Sequence, residues 1–242
     1  MEVAGPSTSA HFQLTLRRSR RSARRSHRID PVRETFAATA ALMGVPVKDF
    51  WLAMSRSFPG RIVGVHGGTR ATLQAMAGQC GVEPTAGQLD RAVVVQHEGA
   101  ARVRRARPGV FEVLDELRGR GFLLGLISDC SSELYESWDE TAYAARFDAA
   151  VFSWREGYRK PGPRLYARVT RQLGVAPRDC WYVGDGGSRE HSGALVAGMR
   201  PILITNAGYP GAAQHRHDPD TFQPHLFVDD PRQLLDLLKD QS

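Results

Sequence analysis

The second half of the chain alternates short apolar runs with segments of helical periodicity. After Pro108 the runs FLLGLI, AAVF, CWYV, PILIT and LFV follow one another, and helical segments such as PRLYARVTRQLG lie between them. Short apolar runs separated by helical segments predict parallel strands joined by helices, that is, a doubly wound α/β sheet. Such sheets bind their ligands beside the carboxyl ends of the strands. Polar residues that directly follow the runs are therefore the candidates for a functional site.

Residues 29–105, in contrast, show helical periodicity. The segments PVRETFAATAALM, VKDFWLAMSRSF, TRATLQAMAGQCG and AGQLDRAVVVQHEG carry apolar residues at helical spacing, and breaks such as FPG, GG and EPT lie between them. We therefore predict an all-helical domain over residues 29–105, followed by the α/β domain over residues 106–242.

The net charge of the chain is concentrated near its beginning. Residues 1–28 hold seven arginines and one acidic residue, so they account for the whole net charge of +6. The remaining residues comprise 25 basic and 25 acidic ones, a balance that argues against nucleic-acid binding by the body of the protein. The stretch RRSRRSARRSHR has several interpretations: an arm for anionic surfaces, a transit peptide, a disordered extension or a reading frame that starts wrongly. We favour the last two.

Two further features of the sequence indicate where the protein works. No stretch approaches the run of about 18 apolar residues that a membrane-spanning helix needs, so we expect no membrane partner. The three cysteines, Cys80, Cys130 and Cys180, form no CxxC pair, which is typical of a reducing compartment and not of a disulfide framework. We expect a cytoplasmic protein whose oligomeric state the sequence leaves open.

Polar side chains follow three of the predicted strands. Ser128 and Asp129 come directly after FLLGLI, Lys160 lies in GYRKPGP after AAVF, and Asp185 and Glu190 lie in GDGGSRE after CWYV. Right-handed crossovers bring these segments to one edge of the sheet. We predict that Ser128, Asp129 and Lys160 bind phosphoryl oxygens. Asp185 and Glu190 are the predicted ligands of Mg²⁺, which prefers oxygen ligands.

Each of these residues also has a purely structural interpretation. Ser128, Asp129 and Asp185 could cap the helices that follow them, and Lys160 could be an ordinary surface lysine. The chain has only three lysines against 29 arginines, however, so a lysine at this position favours a compact point charge that arginine would not replace. The glycines around Asp185 favour close approach of the backbone to a ligand.

The motifs ISDC, GYRKPGP and YVGDGGSRE, in this order, resemble the second, third and fourth motifs of the haloacid dehalogenase superfamily of hydrolases. Most members of that superfamily are Mg²⁺-dependent phosphatases. The resemblance covers residues 29–242 and implies a Rossmann-like core with an inserted helical cap, to which residues 29–105 correspond. The substrate that it implies is a small phosphorylated molecule.

The resemblance also assigns roles to individual residues. It implies that Ser128 hydrogen-bonds phosphoryl oxygens and that Lys160 neutralises charge on an aspartyl-phosphate intermediate, which makes these two the catalytic candidates. It further implies that Asp185 and Glu190 hold Mg²⁺, directly or through water.

The chain departs from the family at the first motif. That motif is an Asp-x-Asp pair after an N-terminal strand, whose first aspartate attacks phosphorus and whose second is the general acid and base. Before the helices of the predicted cap this chain has one aspartate, Asp30, and the best candidate for the strand, Phe12–Leu16, is followed by Arg17 and Arg18. Arginine can neither attack phosphorus nor bind Mg²⁺. The same departure predicts a gap in the middle of the sheet, where ladder hydrogen bonds would be lost.

Two hypotheses about function follow. The first is a small-molecule phosphatase that works through an aspartyl-phosphate and whose true reading frame joins near Ile29. The second is a catalytically silent relative that keeps the phosphate and metal site for binding or regulation. A carbon–halogen hydrolase is less expected, because the acidic pair Asp185 and Glu190 suits a metal that dehalogenation does not need.

Overall fold

The computed structural model describes residues 11–12, 31–205, 207 and 218–239. Between residues 31 and 105 the regular structure is helical, as the periodicity predicts. The helices there are α1 (Pro31–Met43), α2 (Val47–Arg56), α3 (Phe58–Arg61), α4 (Thr69–Gln79) and α5 (Ala86–Val103). The predicted break at FPG is wrong, because this sequence starts α3, and Pro59 lies in its first turn where proline is tolerated. No helix in the described ranges combines the length and apolar character that spanning a bilayer requires.

From Val110 onward strands and helices alternate. The strands are β2 (Gly125–Ser128), β3 (Ala149–Phe152), β4 (Trp181–Gly184), β5 (Arg200–Ile204) and β6 (Leu226–Val228), and an earlier short strand, β1, is His11–Phe12. The helices are α6 (Val110–Gly119), α7 (Ser132–Glu136), α8 (Ser153–Glu156), α9 (Pro163–Leu173), α10 (Glu190–Val196) and α11 (Leu234–Leu237). The predicted alternation is therefore confirmed, whereas the domain boundaries at 29–105 and 106–242 stay predictions.

All pairings between the described strands are parallel. Four strands pair in the order β1-β4-β5-β6, and β2 pairs with β3. Because β1 also lies against β2, the order across the molecule is β3-β2-β1-β4-β5-β6. The direction of winding changes at β1, and ligands of open α/β sheets bind beside the carboxyl ends of the strands at such a switch point.

The centre of the sheet is where the sequence predicts a gap. In the structure β1 occupies this position and pairs with Tyr182 and Val183 of β4. The expectation of an unfilled centre is therefore wrong at the two residues of β1. Phe12 is the first residue of the candidate strand Phe12–Leu16, whose other residues lie outside the described part of the chain, as does the basic stretch 17–28.

Both faces of the sheet are covered by helices. Successive side chains of a strand point to opposite faces, and in β2 Leu126 packs in an apolar cluster with α6 whereas Ile127 packs in another with α9. In β4, Val183 and Tyr182 divide between the same two clusters. Burial on both faces explains why the strands read as continuous apolar runs. A third apolar cluster joins α1, α2, α4 and α5.

The packing of α1 on α5 depends on the absence of a side chain at Gly99. A Cβ there would lie 2.5 Å from Thr35 Cγ2 and 2.6 Å from Thr35 Oγ1, and a β-branched side chain in a helix has little freedom to move away. We expect Gly99→Ala to lower the free energy of unfolding by about 1–3 kcal/mol, as overpacked cores do. Urea unfolding measures this change.

Gly78→Ala in α4 is the matched control for that experiment. Among the described residues, no atom beyond the neighbouring residues and the backbone of α4 itself lies within 4 Å of the Cβ position at Gly78, and alanine is the better helix former by about 1 kcal/mol. The control should therefore stabilise the protein slightly. Stabilisation of the same size by both substitutions would contradict the packing described for Gly99.

Candidate functional site

The candidate residues meet at the carboxyl ends of β2 and β4. Ser128 is the last residue of β2 and Asp129 follows it, while Asp185 follows β4 and Glu190 begins α10. Lys160, in the loop between α8 and α9, joins the two groups. Its backbone N–H donates to Asp129 Oδ1 over 3.1 Å, and its Nζ donates to Glu190 Oε2 over 2.7 Å. The convergence that the sequence predicts is thus present in the structure.

The contact between Lys160 and Glu190 is a buried ion pair. The two side chains are 5% and 1% exposed. Glu190 Oε2 also accepts a hydrogen bond from the Tyr182 hydroxyl over 3.2 Å, and Glu190 Oε1 accepts one from the Gly186 N–H over 3.0 Å. Both oxygens of Glu190 are therefore engaged by donors of the protein itself.

The charges around Lys160 keep it cationic. Burial alone would lower the pKa of a lysine, because it penalises the charged form. The carboxylates of Glu190, Asp129 and Asp185 outweigh burial, so the pKa of Lys160 lies above its ordinary value. A permanent positive charge is therefore fixed at this edge of the sheet.

Glycines and tyrosines make room for Glu190 and hold it. A Cβ at Gly184 would lie 2.2 Å from Glu190 Oε1, so the carboxylate fits only against a glycine. The Tyr166 hydroxyl donates to the backbone oxygen of Glu190 over 2.9 Å. The group that a side chain at Gly184 would meet is thus Glu190, and the close approach of a ligand that the glycines around Asp185 favour stays a prediction. No sequence signal identifies Tyr166 or Tyr182 as part of this site.

The turn that carries Asp185 has an unusual backbone. The Gly187 N–H donates to Asp185 Oδ1 over 3.0 Å. Gly186, Ser188 and Arg189 have φ angles of +87°, 55° and 47°, and two of these three residues are not glycine. Left-handed conformations at residues other than glycine are disfavoured and cluster at functional sites.

A later segment of the chain holds this turn in place. The Arg189 N–H donates to the Asp218 backbone oxygen over 3.0 Å, and the Asp220 N–H donates to the Gly186 oxygen over 2.8 Å. The Asp220 carboxylate accepts from the Ser192 N–H over 2.8 Å. Burial alone would raise the pKa of Asp220. The hydrogen bonds that its carboxylate accepts from Ser192 and from the Phe222 N–H lower the pKa by more, so that it lies below the ordinary value. Sequence reasoning missed both aspartates, since DPD marks a turn without showing what the turn contacts.

The segment after β2 offers no substitute nucleophile in its cysteine. Ser128 is partly exposed, whereas Cys130 is buried. Burial raises the pKa of the Cys130 thiol strongly, and a thiol that stays protonated is inert. Ser128 is therefore the accessible polar side chain at the end of β2.

The carboxylates at this edge fit a hard cation. Asp129 Oδ2 is buried and accepts no hydrogen bond from the described residues, and Asp129 and Asp185 both act on the charge of Lys160. Within the described ranges no group of three His, Cys, Asp or Glu side chains is placed to hold a metal ion. Mg²⁺ commonly takes one or two carboxylates and completes its shell with water and phosphate oxygens. Glu190 as a direct metal ligand stays a prediction, since donors of the protein engage both of its oxygens.

Comparisons with known proteins find one matching family model and several similar proteins. The model of the haloacid dehalogenase-like hydrolase family matches residues 14–198. The glyceraldehyde 3-phosphate phosphatase of Methanopyrus kandleri is 31% identical over 161 residues, which are 66% of this chain and 68% of that protein. The phosphoserine phosphatase of Thermus thermophilus is 31% identical over 123 residues, 50% of this chain and 47% of that protein. The 2-haloacid dehalogenase of Pseudomonas syringae pv. tomato has the same fold, with a TM-score of 0.62, 23% identity and coverage of 88% of this chain and 89% of that one.

The buried ion pair makes a prediction about stability. We expect Lys160→Met to lower the free energy of unfolding by about 3–5 kcal/mol, because it leaves Glu190 as a buried charge without its cation. The double variant Lys160→Met/Glu190→Met should be more stable than Lys160→Met alone, since it removes both charges. Urea unfolding of the wild type, the two single variants and the double variant gives the coupling energy. If the changes in unfolding free energy of the two single variants add up to that of the double variant, a direct interaction between Lys160 and Glu190 is contradicted.

The same pair predicts a dependence on alkaline pH. The pKa of Lys160 is raised in the folded protein. The stability from this shift is therefore fully present below the pKa of an unfolded-state lysine, about 10.4, and is lost as the pH rises through the folded-state value. We expect the difference in unfolding free energy between the wild type and Lys160→Met to narrow above about pH 10.4. A difference that stays constant from neutral pH through the alkaline transition would contradict this account.

Proposed function

The chain belongs to the haloacid dehalogenase-like hydrolases, and from that premise we propose that it is a Mg²⁺-dependent phosphatase of a small phosphorylated molecule. The observation that carries this proposal is the buried Lys160–Glu190 pair, which fixes a cation beside Asp129 and Asp185. A fixed cation next to carboxylates suits the binding of a phosphoryl group together with a metal ion. The two curated relatives described above are both named as phosphatases.

Each residue of the site has a role in this proposal. The Ser128 hydroxyl donates to the phosphoryl oxygens, and the Lys160 ammonium neutralises the negative charge that builds on them. Glu190 keeps Lys160 charged and in place. Asp185 would hold Mg²⁺, which supplies a second positive charge beside the phosphoryl oxygens when it is bound. Asp129, which the sequence predicts to bind phosphoryl oxygens, would instead join Asp185 as a metal ligand, because a carboxylate repels phosphoryl oxygens unless a cation lies between them.

Attack on phosphorus is the step that separates two candidate functions. Residues 1–30 contain a single aspartate, Asp30, which lies outside the described residues. This observation favours a second candidate, a relative that binds phosphate and Mg²⁺ without hydrolysis and serves in regulation or binding. Both candidates use the same site, and only turnover distinguishes them.

The expected setting of the protein belongs to the same proposal. The three cysteines, Cys80, Cys130 and Cys180, form no CxxC pair, which supports a reducing compartment such as the cytoplasm. The balanced charge outside residues 1–28 supports a small-molecule substrate over nucleic acid. The likeness to a dehalogenase supports the fold alone, and the carboxylate of Asp185 favours metal-dependent chemistry.

Hydrolysis of 4-nitrophenyl phosphate tests the proposal. We expect the wild type to release nitrophenolate when Mg²⁺ is present, and Asp185→Asn to lower the rate at least about 100-fold, because electrostatic stabilisation of the reacting phosphoryl group is lost. Asp139→Asn, which alters an exposed carboxylate, is the matched control and should keep the wild-type rate.

Two other outcomes are informative. If no protein turns over the ester, but calorimetry shows Mg²⁺ binding to the wild type and not to Asp185→Asn, the silent relative is the better account. Turnover that persists both after chelation of Mg²⁺ and in the Asp185→Asn variant would contradict the assignment of the site.

A further inference from the structure

A cavity of about 440 Å³ lies between the helices α1, α2, α3 and α5 and the segment 131–134. Pockets for small organic ligands have volumes of about 300–1,000 Å³. Much of the wall is formed by apolar side chains, among them those of Phe36, Trp51, Met54, Phe58 and Leu134. A ligand that fills the cavity must therefore present apolar surface to it.

The cavity lies close to the phosphate site along the chain. Ser131 and Glu133 line it, and they follow Ser128 and Asp129 in one short segment. Three residues of extended chain span at most about 11 Å, so one small molecule can reach from Ser128 to Ser131. The Ser131 hydroxyl donates to Glu133 Oε1 over 2.6 Å, which fixes the wall at this end.

One cation, Arg61, faces the cavity without a full set of partners. It is 5% exposed. Its Nε donates to Ser57 Oγ over 3.2 Å and its Nη2 to the Met54 oxygen over 3.0 Å. Its guanidinium carbon lies 5.6 Å from the centroid of the Phe58 ring. The hydrogen bonds within the described part of the chain engage Nε and Nη2 but not Nη1, and no carboxylate of those residues forms a salt bridge with Arg61. Burial lowers the pKa of Arg61, and the more distant Glu133 raises it. A buried cation of this kind favours an anionic partner.

We propose that this cavity receives the organic part of the substrate and that the substrate is a phosphate ester of an aromatic alcohol bearing a carboxylate. The inference rests on the proposed function, because it places the phosphoryl group at Ser128 and Lys160. The ring fills the apolar walls, and the carboxylate accepts from Arg61 Nη1. A polyol would leave most of its hydroxyl groups against a wall that is mainly apolar. A substrate with a second phosphate in place of the carboxylate would bring two negative charges near Glu133, where Arg61 Nη1 is the donor available to them.

Binding of 4-hydroxybenzoate tests the cavity independently of turnover. In calorimetry without Mg²⁺ or phosphate, we expect the wild type to bind this probe and Arg61→Gln to bind it at least about 10-fold more weakly, the loss typical of a hydrogen bond to a charged group. Trp51→Ala should also weaken binding. Arg178→Gln is the matched control, since Arg178 is 84% exposed, and it should not change the affinity.

An uncharged probe and a conservative variant test separately whether the carboxylate and the charge of Arg61 are needed for binding. 4-Hydroxybenzyl alcohol has the ring without the carboxylate, so its binding should be weaker and should not respond to Arg61→Gln. Because Arg61 also holds the end of α2, Arg61→Lys is included, and it should retain more affinity for 4-hydroxybenzoate than Arg61→Gln does. Absence of binding to the wild type, or equal binding by Arg61→Gln with its fold intact by circular dichroism, overturns the inference.

Kinetics separates failure of this inference from failure of the proposed function. For the wild type, we expect kcat/KM for 4-carboxyphenyl phosphate to exceed that for phenyl phosphate about 10-fold, and the ratio to approach one in Arg61→Gln. If the wild type hydrolyses both esters with nearly equal kcat/KM, the inference is overturned and the proposed phosphatase function is retained. Binding of 4-hydroxybenzoate that depends on Arg61, without turnover of either ester, supports the cavity assignment and counts against the phosphatase.

Discussion

The buried ion pair between Lys160 and Glu190 is the interaction on which the rest of the site depends. Moving either charge out of water costs several kcal/mol, and the two side chains are 5% and 1% exposed. The pair persists because its atoms are 2.7 Å apart and because Tyr182 and Gly186 complete the hydrogen bonding of the carboxylate. It ties the loop before α9 to the first residue of α10, so the ends of β2 and β4 are held in one arrangement.

The pair also sets the charge that a ligand meets. With all groups ionised, the ammonium of Lys160 and the carboxylates of Glu190, Asp129 and Asp185 leave two negative charges uncompensated. In the proposed function, a divalent cation would restore the balance and allow a phosphoryl dianion to bind. Glu190 thus has a structural function, because it holds Lys160. Asp129 and Asp185 are the carboxylates that the proposal assigns to the ligand. This division explains why a glycine is required at Gly184, where Glu190 fills the space of a side chain.

Local patterns were sufficient to predict the strands and the strand-end residues, because short apolar runs between helical segments have few other solutions in a compact chain. The role of Glu190 was not predictable in the same way. Its spacing from Asp185 suits a metal ligand, and it equally suits the first residue of a helix whose side chain turns back under β4. Only the packing of Lys160 and Tyr182 against Glu190 distinguishes these arrangements, and Lys160 lies 30 residues from Glu190 in the chain.

The contacts of Asp218 and Asp220 with the turn after β4 could likewise not be predicted from local sequence. A polar turn near the end of the chain, considered without the rest of the fold, is expected to be exposed to solvent. The centre of the sheet is a similar case. The run that begins at Phe12 is short and is followed by arginines, yet His11 and Phe12 pair with β4, since unpaired backbone groups between two covered strands are stabilised by a short extended segment.

Coupled binding of inorganic phosphate and Mg²⁺ is the most direct test of the account, because the phosphatase and its silent alternative both require it. Calorimetric titration of phosphate into the wild type should show an affinity about 5- to 150-fold higher with Mg²⁺ than without it, the usual range for coupled sites. Asp185→Asn should lose this gain while it keeps the Mg²⁺-free affinity. Equal phosphate affinity in the wild type with and without Mg²⁺ would contradict the central claim that the edge beside Lys160 binds the two together.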